Sequence, residues 1–170
     1  LRRFDEAVLG TNNRAVFEDR TEWRHRAYAY WTPAPRWALR AEAVYDKYTS
    51  SQASIDPNRP RYLKTTTVPL ELRYFLPQGF FGGFGLTFVE QEVHRPSCAA
   101  GCGSERFALA DLVAGYRLPR RMGQIGLGIH NVFNRDFKYQ GNVYRAFQDE
   151  ANSAPYLPER TIMGTFSLTF

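Results

Sequence analysis

The sequence predicts an all-β protein, an antiparallel up-and-down transmembrane β-barrel of which this chain supplies about seven strands. Apolar and polar residues alternate with a period of two in seven separate runs, which is typical of strands with two different faces. Short turns alternate with long polar loops between the runs. Aromatic residues make up 15% of the 170 residues, with 13 Phe, 10 Tyr and 3 Trp against 2 Met, and this bias favours strands over helices.

The seven runs follow one another as consecutive antiparallel strands would. They cover residues 21–31, 37–48, 63–76, 80–93, 107–118, 124–137 and 161–170. Tight turns near residues 33, 78 and 121 alternate with long loops near residues 55, 100 and 150. Outer-membrane barrels have short periplasmic turns and longer extracellular loops, so we expect the last run to end on the periplasmic side.

Each run has one apolar face and one face of polar or small residues. In chain order the apolar faces include Trp23, Ala27 and Trp31; Trp37, Leu39 and Ala41; Val68, Leu70 and Leu72; Phe84, Leu86 and Phe88; Ala108, Ala110 and Leu112; Ile125, Leu127 and Ile129; and Ile162, Phe166 and Leu168. Bulky aromatics gather near the short turns, as an interfacial girdle would, at Trp31, Trp37, Tyr74, Phe80, Tyr116 and Phe170. Because proline cannot donate a ladder hydrogen bond, we expect a bulge or local distortion at Pro69.

Seven is an odd number of strands, which matters for a barrel in lipid. Bacterial single-chain barrels close with an even number, because an open edge leaves backbone groups unpaired in the membrane. We therefore expect part of a larger barrel, with residues 1–20 an extracellular loop or partial strand and residues 21–170 its C-terminal transmembrane strands. The alternative is a closed eight-stranded small barrel, in which residues 2–9 supply the eighth strand.

Composition argues against several other classes of protein. No apolar run approaches the roughly 18 residues that a membrane-spanning helix needs. The net charge of +5 is dispersed along the chain, so we do not expect nucleic-acid binding. Cys98 and Cys102 could close a small loop as a disulfide in an oxidising compartment. Zinc is not expected, since no second pair of Cys or His has ligand spacing.

Two motifs resemble the C-terminus of TonB-dependent receptor-like outer-membrane proteins. Residues 127–137 resemble the penultimate-strand motif Asn-Leu-Phe-Asp, with Val132 in place of Leu and Asn134 in place of Asp. Residues 158–160 and 163–170 are similar to the Pro-x-Arg start of the last strand and to the terminal assembly signal that ends in Phe. Residues 68–70 and 115–119 also resemble a subgroup in which periplasmic helical repeats precede the barrel.

The resemblance implies a plugged barrel of about 22 strands in the outer membrane of a Gram-negative bacterium. Such a barrel takes up a scarce ligand, such as a metal chelate, with energy delivered through TonB. The TonB contact would lie in upstream segments not present here. The implied partners are outer-membrane lipid, lipopolysaccharide and the barrel assembly machinery. A passive pore and a polymer-export or scaffold barrel are alternatives that would share these features.

Candidate functional residues fall into three groups. The edge strand that assembly machinery would pair with carries Gly164, Phe166, Leu168 and Phe170. The polar faces of the runs present lumen or ligand candidates at Arg24, Arg26, Arg40, Glu42, Glu71, Arg73, Asp111, Arg117 and His130. Aromatics of the longest loop that could meet an external ligand are Tyr139, Tyr144, Phe147 and Tyr156. No nucleophile lies in a recognisable motif, so we expect neither enzyme activity nor a cofactor.

Overall fold

The computed structural model describes residues 2–9, 15–51, 60–95, 103–139 and 159–169. These residues form one antiparallel sheet in which each strand pairs with its neighbours in sequence. The strands are β1 (Arg2–Leu9), β2 (Ala15–Ala34), β3 (Trp37–Ser50), β4 (Tyr62–Phe75), β5 (Phe80–His94), β6 (Gly103–Arg117), β7 (Gly123–His130) and β8 (Thr161–Leu168). The predicted all-β, antiparallel, up-and-down arrangement is confirmed. A short 3-10 helix, Pro119–Arg121, lies between β6 and β7, and no helix in the described ranges is long and apolar enough to cross a membrane.

The seven predicted strands are present as β2 to β8, and β1 joins them as an eighth. Strand β1 pairs with β2 from Arg2 opposite Glu22 to Leu9 opposite Ala15. With this partner, β2 begins at Ala15 rather than at residue 21, whereas β3 pairs with β2 only from Arg20 onward. No ladder in the described part of the chain joins β1 to β8, so the sheet is open at both edges.

Pro69 marks a gap in the ladder between β3 and β4. Paired positions run up to Ala41 opposite Leu70 and resume at Val44 opposite Thr67. The register is the same on both sides of the gap. The expected local distortion is therefore an interruption of pairing rather than a bulge, as the missing N–H group of proline would produce.

Strand β7 is shorter than the predicted run of residues 124–137, because it ends at His130. Asn131 and Asn134 both have a φ of 51°, a left-handed conformation that asparagine tolerates better than most residues. The chain turns there and leaves the sheet. The prediction that residues 131–137 continue the strand is wrong.

Strand pairing divides the sheet into two chemically different faces. The face that carries Arg24, Glu42, Thr65, Gln91 and Asp111 is called the polar face, and the opposite one the apolar face. Two buried clusters lie on the polar face: Tyr48, Leu63 and Val93, and Val89, Phe107, Leu109 and Phe137. Many large side chains of the apolar face are exposed, including Trp37, Leu70, Phe84, Phe88, Leu112, Ile125, Leu127, Ile162 and Phe166.

Candidate functional site

A row of ion pairs crosses the polar face of β2, β3 and β4. Arg24 on β2 lies opposite Asp46 on β3, and its Nη2 and Nε donate to Asp46 Oδ2 at 2.6 and 3.2 Å. Glu42 accepts from two arginines, Arg26 Nε at 2.5 Å and Arg40 Nη2 at 2.7 Å. Glu42 is thereby fixed between neighbouring strands.

The row continues onto β4 through a third carboxylate. Arg40 lies opposite Glu71 in the ladder, and its Nη1 is 3.8 Å from Glu71 Oε2. Arg73 Nε donates to Glu71 Oε1 at 2.5 Å. We call the whole set the ionic row, and its members are Arg24, Arg26, Arg40, Glu42, Asp46, Glu71 and Arg73.

Two exposed tyrosines on β2 support the arginines of the ionic row. Arg26 Cζ lies 5.8 Å from the centre of the Tyr28 ring and Arg40 Cζ lies 5.9 Å from that of Tyr30, within the range of a cation–π contact. The two rings meet edge to face with centroids 5.7 Å apart. Guanidinium groups are therefore oriented by aromatic rings as well as by carboxylates.

A cavity of about 290 Å³ opens beside the ionic row. Arg24, Arg40, Glu42 and Asp46 line it together with Tyr48, Leu63, Thr65, Thr67 and Tyr139. Thr65, one of the lining residues, accepts at Oγ1 from Gln91 Nε2 at 3.0 Å. The wall thus combines charged groups, hydroxyl groups and two aromatic rings, a mixture that can fix the orientation of a polar ligand.

Residues 131–139, which we call the strap, fold back over the polar face after β7. Asn131 holds the turn: its backbone N–H donates to Asp111 Oδ1 at 2.9 Å, and its side chain donates to Arg135 O at 2.8 Å and accepts from Arg135 N at 2.9 Å. Asn134 Oδ1 accepts from Arg160 N at 2.8 Å. This bond ties the start of the longest connection to its end.

The tip of the strap reaches the interior of the polar face. Phe137 is buried against β6, with its ring centroid 4.1 Å from that of Phe107. Tyr139 meets Phe107 edge to face at 6.3 Å and lines the cavity beside Arg24 and Arg40. The strap therefore forms one wall of the candidate site.

The structure brings six of the nine lumen candidates together in the ionic row. Asp111 and His130 form a separate pair with Oδ2 and Nδ1 3.5 Å apart. Arg117 lies near the short turns, with Cζ 4.5 Å from the Phe75 ring centre, and takes no part in the row. Of the loop aromatics, Tyr139 reaches the cavity.

Only some of the remaining candidates lie within the described residues. Gly164, Phe166 and Leu168 lie in β8 at one edge of the sheet. Cys98, Cys102, Tyr144, Phe147, Tyr156 and Phe170 lie outside the described residues. The predicted disulfide, the other loop ligands and the terminal Phe of the assembly signal therefore stay predictions.

Sequence reasoning missed several residues that build the site. Asp46 alternates in phase with Arg40 and Glu42 along β3, so its place on the polar face is predictable, although it is not among the candidates. Thr65 and Gln91 carry no signal beyond lying on the polar faces of their strands. For Asn131, the spacing to a second asparagine three residues on is typical of a turn.

The apolar face ends in a different kind of residue at each end of the strands. Near the short turns, Trp37 packs on Tyr74 and Phe80 packs on Tyr116, with ring centroids 4.6 and 4.7 Å apart. Toward the long connections the same face becomes charged, with Arg106 Nη2 donating to Glu90 Oε1 at 2.6 Å. An apolar band is thus bounded by aromatic rings on one side and by ion pairs on the other.

Within the described ranges, no group of three or more His, Cys, Asp or Glu side chains is arranged to hold a metal ion. Comparison of the chain with protein-family models, with curated proteins and with solved structures finds no match. The family resemblance thus rests on the sequence motifs alone.

Proposed function

We propose that this chain is the C-terminal part of an outer-membrane, TonB-dependent receptor-like barrel that takes up a scarce ligand such as a metal chelate. In this proposal the sheet of β2 to β8 lies across the membrane, and β1, which pairs with the first residues of β2, extends it on the side of the long connections. The polar face lines the lumen, and the apolar face meets lipid.

The observation that carries the proposal is that apolar side chains are exposed while the polar face holds the buried clusters, the reverse of what a soluble protein shows. Ion pairs and hydroxyl groups lie on the face that holds the buried clusters, whereas Phe84, Leu112 and Ile125 are exposed on the other. In water, exposing a contiguous sheet face of this kind would be unfavourable, since large apolar patches are rare on soluble proteins. In lipid, the same arrangement is the expected one.

The two edges of the apolar band support the same proposal. Aromatic rings such as Trp37 and Tyr116 suit the boundary between acyl chains and headgroups, where one side of the ring is apolar and the other is wet. The ion pair of Arg106 and Glu90 on the apolar face suits the region beyond the far boundary. A strand needs only about 9 to 11 residues to span the core, and β3 to β6 each have 14 or 15.

The open edges of the sheet support the proposal that these strands are part of a larger barrel, because lipid does not tolerate unpaired strand edges. The eight strands favour a second candidate, a closed eight-stranded small barrel, since eight is an even number that can close. Refolding of the isolated chain in lipid vesicles separates the two. Slow hydrogen exchange at the β8 amides that point away from β7 would support closure, whereas failure of the isolated chain to fold would support a sector of a larger barrel, because its edges would stay unpaired in lipid.

The proposal is tested by location and by energy dependence. In cells that make the full-length protein, outer membranes separated on a density gradient should contain it, and recovery from the soluble fraction would contradict the membrane assignment. Uptake of radioactive ferric iron, supplied with a panel of chelators, should require the protein. An uncoupler of the proton gradient should abolish TonB-dependent uptake, whereas uncoupler-insensitive uptake would favour the passive pore.

A further inference from the structure

We infer that the cavity beside the ionic row binds a small anionic ligand that carries several carboxylate or phosphate groups. This inference rests on the proposed function, because it names the class of ligand that the lumen would take.

The arginine side chains of the ionic row are more exposed than its carboxylates. The arginine side chains of Arg24, Arg26, Arg40 and Arg73 are 57, 55, 39 and 49% exposed, whereas those of Glu42, Asp46 and Glu71 are only 6, 19 and 25% exposed. The negative groups therefore lie at the base of the row and the guanidinium groups lie toward its open side. A ligand that enters from the lumen meets positive charge first.

At the cavity the charges balance, since Arg24 and Arg40 line it together with Glu42 and Asp46, but the guanidinium groups have more donors than the carboxylates engage. Four arginines share three carboxylates, and the single carboxylate of Glu42 contacts both Arg26 and Arg40. Each guanidinium has five N–H donors, more than these contacts use. Arg40 Nε is a buried donor without a hydrogen-bond partner among the described residues, and Arg40 lines the cavity. An anion in the cavity would accept from the terminal N–H groups of Arg24 and Arg40, which are the accessible ends of these side chains.

The guanidinium groups are held before any ligand arrives. Carboxylates contact them from the base, and the Tyr28 and Tyr30 rings contact Arg26 and Arg40 without using an N–H donor. Ordering long arginine side chains upon binding normally costs free energy, so this support favours binding. A fixed planar guanidinium pairs best with planar or tetrahedral oxyanions, namely carboxylate and phosphate.

The cavity favours a small ligand over a polymer. Its volume of about 290 Å³ lies near the lower end of the roughly 300 to 1,000 Å³ that is usual for ligand pockets. Thr65 and Thr67 add hydroxyl groups to the wall, and Tyr139 closes one side. A small polyanion can therefore contact guanidinium and hydroxyl groups together.

Calorimetric titration of the full-length protein in detergent tests the inference with two anionic probes and one neutral probe. Citrate represents the carboxylates, pyrophosphate the phosphates, and raffinose the neutral ligands. At least one anion should bind and raffinose should not, and binding should weaken as ionic strength rises, since exposed charges are screened. Arg24→Gln and Arg40→Gln should each weaken binding at least about tenfold. Arg106→Gln, on the apolar face, should leave binding unchanged.

Several results would overturn the inference. They are no binding of either anion, equal binding of raffinose, or the same loss in Arg106→Gln as in Arg24→Gln. Heat-modifiable gel migration shows whether each variant is folded, and the salt dependence needs no variant at all. Failure of binding in a protein found in the outer membrane would refute only this inference. Anion binding by a protein found outside the membrane would refute only the proposed function.

Discussion

Phe137 stacks on Phe107 with ring centroids 4.1 Å apart and planes 16° from parallel. Phe107 belongs to β6, and Phe137 follows the end of β7, so the stack brings the chain back over the polar face. Val89 and Leu109 complete the buried cluster around it. The longest connection therefore begins over the polar face, inside the proposed lumen, and not beyond the end of the sheet.

The first prediction concerns what holds the strap. Phe137→Ala should remove a buried aromatic side chain, a change that typically costs about 3 to 5 kcal/mol, and the strap should detach while the sheet persists. Hydrogen exchange at the amides of residues 135–139 should become much faster. The matched control is Phe133→Ala, because Phe133 is 78% exposed. Equal exchange in the two variants would mean that the stack does not hold the strap.

The second prediction concerns the centre of the ionic row. Glu42→Gln removes the buried charge shared by Arg26 and Arg40, and we expect a loss of about 1 to 2 kcal/mol because both arginines are partly exposed. Urea titration of the folded protein in lipid vesicles measures the loss. In Glu90→Gln, which removes an exposed pair with Arg106, the loss should stay below about 1 kcal/mol. A larger loss in Glu90→Gln than in Glu42→Gln would contradict the central place of Glu42 in the ionic row.

The third prediction concerns the turn between β6 and β7. Gly123 has a φ of 143°, and a Cβ there would collide with the Ser167 backbone and lie 3.0 Å from Leu168 Cα. Gly123→Ala should therefore weaken the pairing of β7 with β8 by about 1 to 3 kcal/mol. Gly164→Ala is the control, because a Cβ there would meet nothing within 4 Å. Stability measured in vitro should fall only in Gly123→Ala, and an equal effect of both changes would exclude this steric cause.

The fourth prediction separates the two faces of the sheet. Phe84→Arg puts a charge in the middle of the apolar band, where lipid exposure costs about 2 to 4 kcal/mol. Thr87→Arg puts the same charge on the polar face of the same strand. Folding yield in lipid vesicles should fall sharply for Phe84→Arg and little for Thr87→Arg. The reverse order would show that the lipid-facing side has been assigned wrongly.

Alternation predicts strands well here because each face of the sheet meets a different environment. It fails where local chemistry departs from that rule. In β1, the neighbouring Asp5 and Glu6 break the alternation, yet the backbone still pairs with β2. At Asn131 a polar residue falls in the apolar phase, and the strand ends as the asparagine side chain bonds to the backbone of Arg135.

The candidate site was predictable as a face but not as a set of contacts. Period-two alternation put Arg40, Glu42 and Glu71 on polar faces. It did not put Arg40 opposite Glu71, because strand register depends on the pairing of whole strands and on turn geometry. The approach of Tyr139 to this row depends on the strap, which no periodic pattern encodes.

Trp23, Trp31 and Trp37 all lie on the apolar face, so tryptophan fluorescence reports directly on the central claim that this face meets lipid. The protein is reconstituted in vesicles whose acyl chains carry bromine, a contact quencher. We expect strong quenching by the brominated lipid and little by aqueous iodide. A control variant that has Phe at these three positions and Tyr28→Trp on the polar face should show no quenching by the lipid. Quenching by iodide alone in the unaltered protein would contradict the claim.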